Sequence, residues 1–173
     1  MSTEAFRGLF HQKVDNKARV SIPAALRRKL DFEDPATADA PKTRIVMVYG
    51  GKHRKFVECY TIAGAEALAG DVSAMPLGSK DRLKAERDLI MLSATVEIDE
   101  DGRIVLPHPV REKMGFLGDD LDKGGMASFA GVANRFKLYR QEVWLAEMAE
   151  IDDEDEDDDE DPLARVTKYT TAR

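Results

Sequence analysis

The chain of 173 residues has one cysteine, Cys59, so no disulfide framework can staple it. Aromatic residues make up only 7% of it, which leaves a core to be built from Ile, Val, Leu, Ala and Met. No apolar run approaches the roughly 18 residues that span a bilayer. The start, Met1 to Arg7, lacks the apolar stretch of a signal peptide, and a cytoplasmic protein is expected. His11, His53 and His108 are scattered, without metal-ligand spacing. The carboxylates Glu97, Asp99 and Asp101 lack the spacing of a calcium loop. Gly50-Gly51 lacks the Lys-Ser/Thr ending of a phosphate-binding loop. Cys59 stands in an apolar strand-like stretch and reads as core. No acid–base pair suited to catalysis stands out. The expectation is no catalytic residue, no metal, no cofactor and no enzyme.

Charge is plentiful but unevenly placed. The net charge is −7, yet residues 152–161 are ten consecutive acids. Without them, 23 acids face 26 Lys and Arg. Such a block repels itself, which predicts a disordered acidic tail over 151–173. Residues 1–55 hold 12 basic against 6 acidic side chains, so the folded part has a basic end.

The chain also repeats itself. Residues 14–32 and 98–116 match at a constant offset of 84. The identities are Asp15 with Asp99, Arg19 with Arg103, Pro23 with Pro107, Arg27 with Arg111, Lys29 with Lys113 and Phe32 with Phe116. Apolar positions agree as well, for example Val20 with Ile104 and Leu26 with Val110. Each copy reads as a hairpin: an apolar entry, a polar turn, then the alternating strand Val20-Ser21-Ile22 or Ile104-Val105-Leu106. Asp101-Gly102 supplies turn chemistry in the second copy, with glycine free to take a positive φ. Ala18 stands there in the first, where a left-handed backbone costs about 1 kcal/mol, so the two turns need not share one conformation. Pro23 and Pro107 suit the first position of a short helix, and Gly115 suits a helix C-cap.

Beyond each motif the pattern continues with strands at 44–49 and 56–60, and at 127–132 and 135–139. Helices are predicted over 62–69, 81–92 and 141–150. Gly70 to Ser79, with Pro76 and Gly78, reads as the boundary between halves. The fold class is α+β, with a first repeat at 5–72, a second at 73–150 and the acidic tail at 151–173.

Phe6-Arg7-Gly8, Asp15-x3-Arg19-x-Ser21-Ile22-Pro23 and Asp99-x3-Arg103-x-Val105-Leu106-Pro107 together resemble the MraZ family. Each unit is similar to half of the AbrB-like swapped-hairpin fold, and the resemblance covers about residues 5–150. It implies two tandem swapped-hairpin units with short helices, packed as a pseudo-twofold within one chain. It implies a homo-oligomeric ring binding double-stranded DNA at direct repeats in the promoter of the cell-division and cell-wall gene cluster. Repression and association with the nucleoid are implied with it. Ala18, in place of the usual glycine, and the acidic tail depart from the family pattern. The AbrB-like fold also serves antitoxins, but two tandem hairpins and no apolar tail segment count against that reading.

For the DNA reading the candidate contacts are Arg19, Lys17, Lys13, Arg7, Arg27, Arg28 and Arg103. Arginine makes bidentate contacts to guanine or phosphate, and Arg19 stands in the basic neighbourhood of Lys13, Lys17, Arg27, Arg28 and Lys29. Asp15 and Asp99 read as turn-formers that orient the arginines, since a carboxylate near phosphate is repelled. Residues 95–140 hold 7 basic and 8 acidic side chains. The first hairpin is therefore expected to read DNA, and the second to be its structural twin, completing pseudo-dimer and ring. The cluster Lys52-His53-Arg54-Lys55 reads as a solvated loop.

Overall fold

A computed structural model describes residues 4–154 and 160–170. Its elements run β1 (Leu9–Val14), β2 (Arg19–Ser21), α1 (Ala24–Glu33), β3 (Arg44–Val48), β4 (Val57–Tyr60), α2 (Ile62–Ser73) and α3 (Lys80–Ala85). A π-helical turn, Glu86–Met91, leads to β5 (Ser93–Glu97), β6 (Arg103–Val105), α4 (His108–Met114), α5 (Asp119–Asp122), β7 (Gly125–Gly131), β8 (Phe136–Arg140), α6 (Gln141–Glu154) and α7 (Pro162–Thr170). The chain is α+β, with every strand pair antiparallel.

Six strands form one sheet in the order β1-β7-β8-β4-β3-β5, and β2 and β6 form a separate two-stranded ribbon. The sheet order is a palindrome of the duplication. Exchanging β1 with β5, β7 with β3 and β8 with β4 returns the same sheet. The ribbon behaves alike: Val20 pairs with its own counterpart Ile104, flanked by Arg19 opposite Val105 and Ser21 opposite Arg103. A local twofold axis therefore passes through the Val20–Ile104 pair. It leaves the sheet between Glu58 and Lys137, also paired across β4 and β8. The strands of the two halves are interleaved, because β1 pairs with β7 and β5 with β3.

The core lies between one face of the sheet and a layer made of the ribbon, α1 and α4. Val20 and Ile104 point inward from the ribbon, Leu26 and Leu30 from α1, and Val110 and Met114 from α4. They meet Ile45, Met47, Val57, Cys59, Phe129, Phe136 and Leu138 from the sheet. Each such side chain contributes about 1.5–3 kcal/mol on burial. Cys59 is buried, and burial pushes its thiol pKa up, as a core role requires.

Several local expectations change. Ala18 adopts φ 60°, close to the 75° of Gly102, so the two turns share one conformation despite the alanine. Pro23 and Pro107 keep extended ψ values of 136° and 153°, placing them at N-caps, one residue before the first helical position. Gly115 caps α4 in the left-handed conformation, as its composition suggested. The helix expected at 81–92 is α3 followed by the π turn, which Leu92 N–H closes on the Arg87 carbonyl at 3.0 Å. Helix α2 runs on to Ser73, into the expected boundary. In the acidic tail residues 151–154 finish α6, and 162–170 form α7. The expected disorder at 155–159 and 171–173 lies outside the described residues.

Candidate nucleic-acid interface

Each motif aspartate organises its own turn. Asp15 Oδ1 accepts the backbone N–H groups of Lys17 and Arg19, both at 2.9 Å. Its Oδ2 accepts Arg19 Nε at 2.7 Å. In the second copy Asp99 Oδ1 accepts the N–H groups of Asp101 and Arg103, again both at 2.9 Å. A short carboxylate two residues from a backbone donor satisfies a turn locally. Asp15 thus holds both its turn and the Arg19 side chain, whereas the hydrogen bonds to Asp99 come from backbone donors. Burial works against ionisation of Asp15, but the hydrogen bonds from Arg19 and Lys17 prevail and hold its pKa below the ordinary value. The Arg103 backbone N–H does the same for Asp99.

The two turns lie at opposite ends of the ribbon, and each is tied to the residue that follows the other copy's strand. Ile22 N–H donates to the Gly102 carbonyl at 2.9 Å, and Leu106 N–H donates to the Ala18 carbonyl at 2.8 Å. Strand alternation then sorts the ribbon's side chains. Val20 and Ile104 face the core, while Arg19, Ser21, Arg103 and Val105 face away from it. The two arginines stand diagonally across this outer face, about 7–8 Å apart at the backbone. Their side chains are 35% and 33% exposed.

The arginines are not equally engaged. Asp15 takes only Nε of Arg19, leaving its terminal nitrogens to other partners. Arg103 Nε is 3.5 Å from Asp99 Oδ2, beyond hydrogen-bond length, and its Nη2 donates to Asp101 at 3.0 Å. The second turn carries Asp99, Glu100 and Asp101, where the first carries Asp15, Asn16 and Lys17.

The other predicted contacts disperse. Lys17 is exposed at the first turn. Lys13 lines a shallow depression with Asp15, Asn16 and Lys123. Arg27 does not stand beside Arg19: it packs on the second copy's turn, where a Cβ on Gly102 would lie 1.9 Å from its Nη1. Arg28 is exposed on α1. Arg7 is exposed and precedes β1. Lys29 is buried and donates to Glu33 at 2.7 Å, so it adds nothing to the surface. Pro23 and Pro107 start the helices behind the ribbon. Arg111, which the offset of 84 pairs with Arg27, likewise has a buried Nε with no partner among the described residues.

Among the described residues no group of three or more His, Cys, Asp or Glu could hold a metal ion. No helix among them is long and apolar enough to cross a membrane.

Fold and site thus define an internally duplicated α+β protein whose repeated motif converges on one outward ribbon face. No family model matches the chain. It is 46% identical over 161 residues to the transcriptional regulator MraZ of Cereibacter sphaeroides (strain KD131), covering 93% of this chain and 95% of that protein. The transcriptional regulator MraZ of Ruegeria sp. (strain TM1040) is 40% identical over 86% of this chain and 87% of its own. That of Saccharophagus degradans is 34% identical over 86% and 90% respectively. The chain belongs to the MraZ family, whose curated members are named as regulators of transcription and not as enzymes.

Proposed function

We propose that this protein is a sequence-specific, double-stranded-DNA-binding regulator of transcription whose β2–β6 ribbon enters the major groove. The observation that carries the reading is the convergence of Arg19 and Arg103 on one outward face of a two-stranded antiparallel ribbon. A ribbon of this width fits the major groove, and an arginine offers guanine a bidentate pair. Arg19, with its terminal nitrogens left by Asp15, is the principal reader; Lys13, Lys17 and Arg28 supply phosphate contacts. Arg103 sits on the same face but must first give up Asp101.

The palindromic strand order supports the tandem swapped-hairpin reading, with halves at 5–72 and 73–150 packed as a pseudo-dimer. The target proposed is a set of promoter direct repeats of the division and cell-wall gene cluster, bound by a homo-oligomeric ring at the nucleoid and repressed. One ribbon makes few phosphate contacts, so its affinity is low and salt-sensitive. A ring makes the later contacts effectively intramolecular.

Fluorescence anisotropy on the protein's own upstream region, against a scrambled duplex and at two salt concentrations, tests the reading. Arg19→Ala should weaken specific binding by roughly 5- to 150-fold, the worth of one bidentate pair at about 1–3 kcal/mol. Unchanged binding in the Arg19→Ala/Arg103→Ala double variant would overturn it.

A further inference from the structure

The duplication gives a measure of what each half needs in order to fold. Residues 132–135 suffice to join β7 to β8, whereas residues 49–56 join β3 to β4. The longer connection carries Lys52, His53, Arg54 and Lys55, and the shorter one a single cation, Arg135. The basic insertion is therefore not something the fold requires.

The longer loop is held against α3 and the π turn. Tyr49 N–H donates to the Leu92 carbonyl at 2.9 Å. Lys113 Nζ donates to the Gly50 and Gly51 carbonyls at 3.2 and 3.0 Å. Gly50 lies so close that a Cβ there would stand 2.0 Å from the Asp88 carbonyl oxygen. Between the loop and the π turn is a depression of about 410 Å³, within the range of small-molecule sites. Gly51, Lys52, His53 and Arg54 wall it on one side, and Lys84, Arg87 and Asp88 on the other. No aliphatic or aromatic side chain lines it.

Charge in this depression is unbalanced. Asp88 takes both Nε and Nη2 of Arg87, at 2.8 and 3.1 Å. Glu58 accepts from Arg54 but also serves Arg135. Nη1 of Arg54 is buried without an acceptor among the described residues, and a buried donor left unmade is costly. Lys52 and Lys84 are exposed and form no ion pair with a described residue. Beneath the loop, burial and then the charge of Arg54 push the Lys113 pKa below its ordinary value.

We propose that this depression binds a small soluble anion with adjacent phosphate groups, held by Lys52, Lys84 and the guanidinium of Arg54. Ammonium and guanidinium groups are the side chains suited to phosphate oxygens. Positive charge from several groups calls for an anion of more than one charge. The absence of apolar lining leaves nothing to grip a base or an acyl chain, so the phosphates themselves are what is recognised. None of these residues belongs to the β2–β6 ribbon or its turns, and the site does not rest on the DNA reading.

Isothermal titration calorimetry of the full chain with sodium tripolyphosphate is the test. One molecule should bind per chain, saturably, and Lys52→Ala/Lys84→Ala should weaken it at least tenfold. Both lysines are exposed, so that variant should keep its circular dichroism spectrum. Arg19→Ala/Arg103→Ala should leave the tripolyphosphate affinity unchanged. A duplex is the other source of clustered phosphates, and anisotropy on the upstream region separates the two: the lysine variant should keep its DNA affinity within twofold. Absence of saturable binding overturns the proposal, as does a tripolyphosphate affinity that the lysine variant retains. A matching loss of DNA affinity overturns it too, because tripolyphosphate would then be standing in for the DNA backbone.

Discussion

At the scale of single residues, Gly102 and Ala18 hold the same left-handed backbone position for different reasons. Gly102 has Arg27 against its Cα, where no methyl fits, whereas Ala18 buries its methyl in the core. Gly102→Ala should therefore cost about 1 kcal/mol for the backbone, plus the displacement of Arg27. Ala18→Gly should be close to neutral, because relieved strain offsets a lost buried methyl and a freer unfolded chain. Thermal melts of the two variants check the order. The motif aspartates make a second prediction, with a sign. Both have folded-state pKa values below the ordinary 3.8, so their contribution is fully present above that value and is lost as pH falls through the folded one. The melting temperature should be nearly flat above about pH 5 and decline toward pH 3, and the decline should be shallower in Asp15→Asn/Asp99→Asn. An identical acid slope in that variant would assign acid lability elsewhere, for instance to Asp34, whose pKa is lowered by hydrogen bonds from Arg44.

At the scale of elements, the ribbon carries the two turns at its opposite ends, and Asp101 is the group that distinguishes them. It holds Nη2 of Arg103 and adds negative charge to the outward face. Asp101→Asn should tighten DNA binding severalfold, most clearly at low salt, where electrostatic repulsion is least screened; weaker binding would mean that Asp101 orients Arg103 for contact. Strands and most helices were legible from alternation and periodicity, because those patterns are local. The pairing of β2 with β6 was not, because it joins residues 84 apart that each look like one side of an ordinary hairpin. Arg27 was assigned to the first turn for the same reason: it is near Arg19 in the chain but packs on Gly102. Helix α7 was missed because a ten-residue acidic block dominates the tail's composition. Three apolar residues at a spacing of three inside a short stretch then pass for scatter, and the expectation of a tail without an apolar segment fell with them.

At the scale of the whole molecule, interleaving makes the halves mutually dependent. A chain of residues 1–76 alone would leave β1 without β7, β3 without β5, and Val20 without Ile104. It should be either unfolded or a dimer in which a second copy stands in for the missing half. Circular dichroism with light scattering distinguishes these outcomes, and a folded monomer would contradict the interleaved sheet. The boundary that the sequence placed between halves is accordingly a feature of the repeat more than of independent folding.

The ribbon's local twofold has one more consequence. A dimer of identical chains presents a face that looks the same after half a turn, and it favours sites that read alike on both strands. Here the turn at one end carries Asn16 and Lys17, and the turn at the other carries Glu100 and Asp101. Joining the copies in one polypeptide let them drift apart in charge while the backbone kept its symmetry. The face has therefore acquired a polarity. Under the proposed DNA-binding role a duplex laid across it should take a preferred direction, so that sites arranged head-to-tail should suit it better than mirror images.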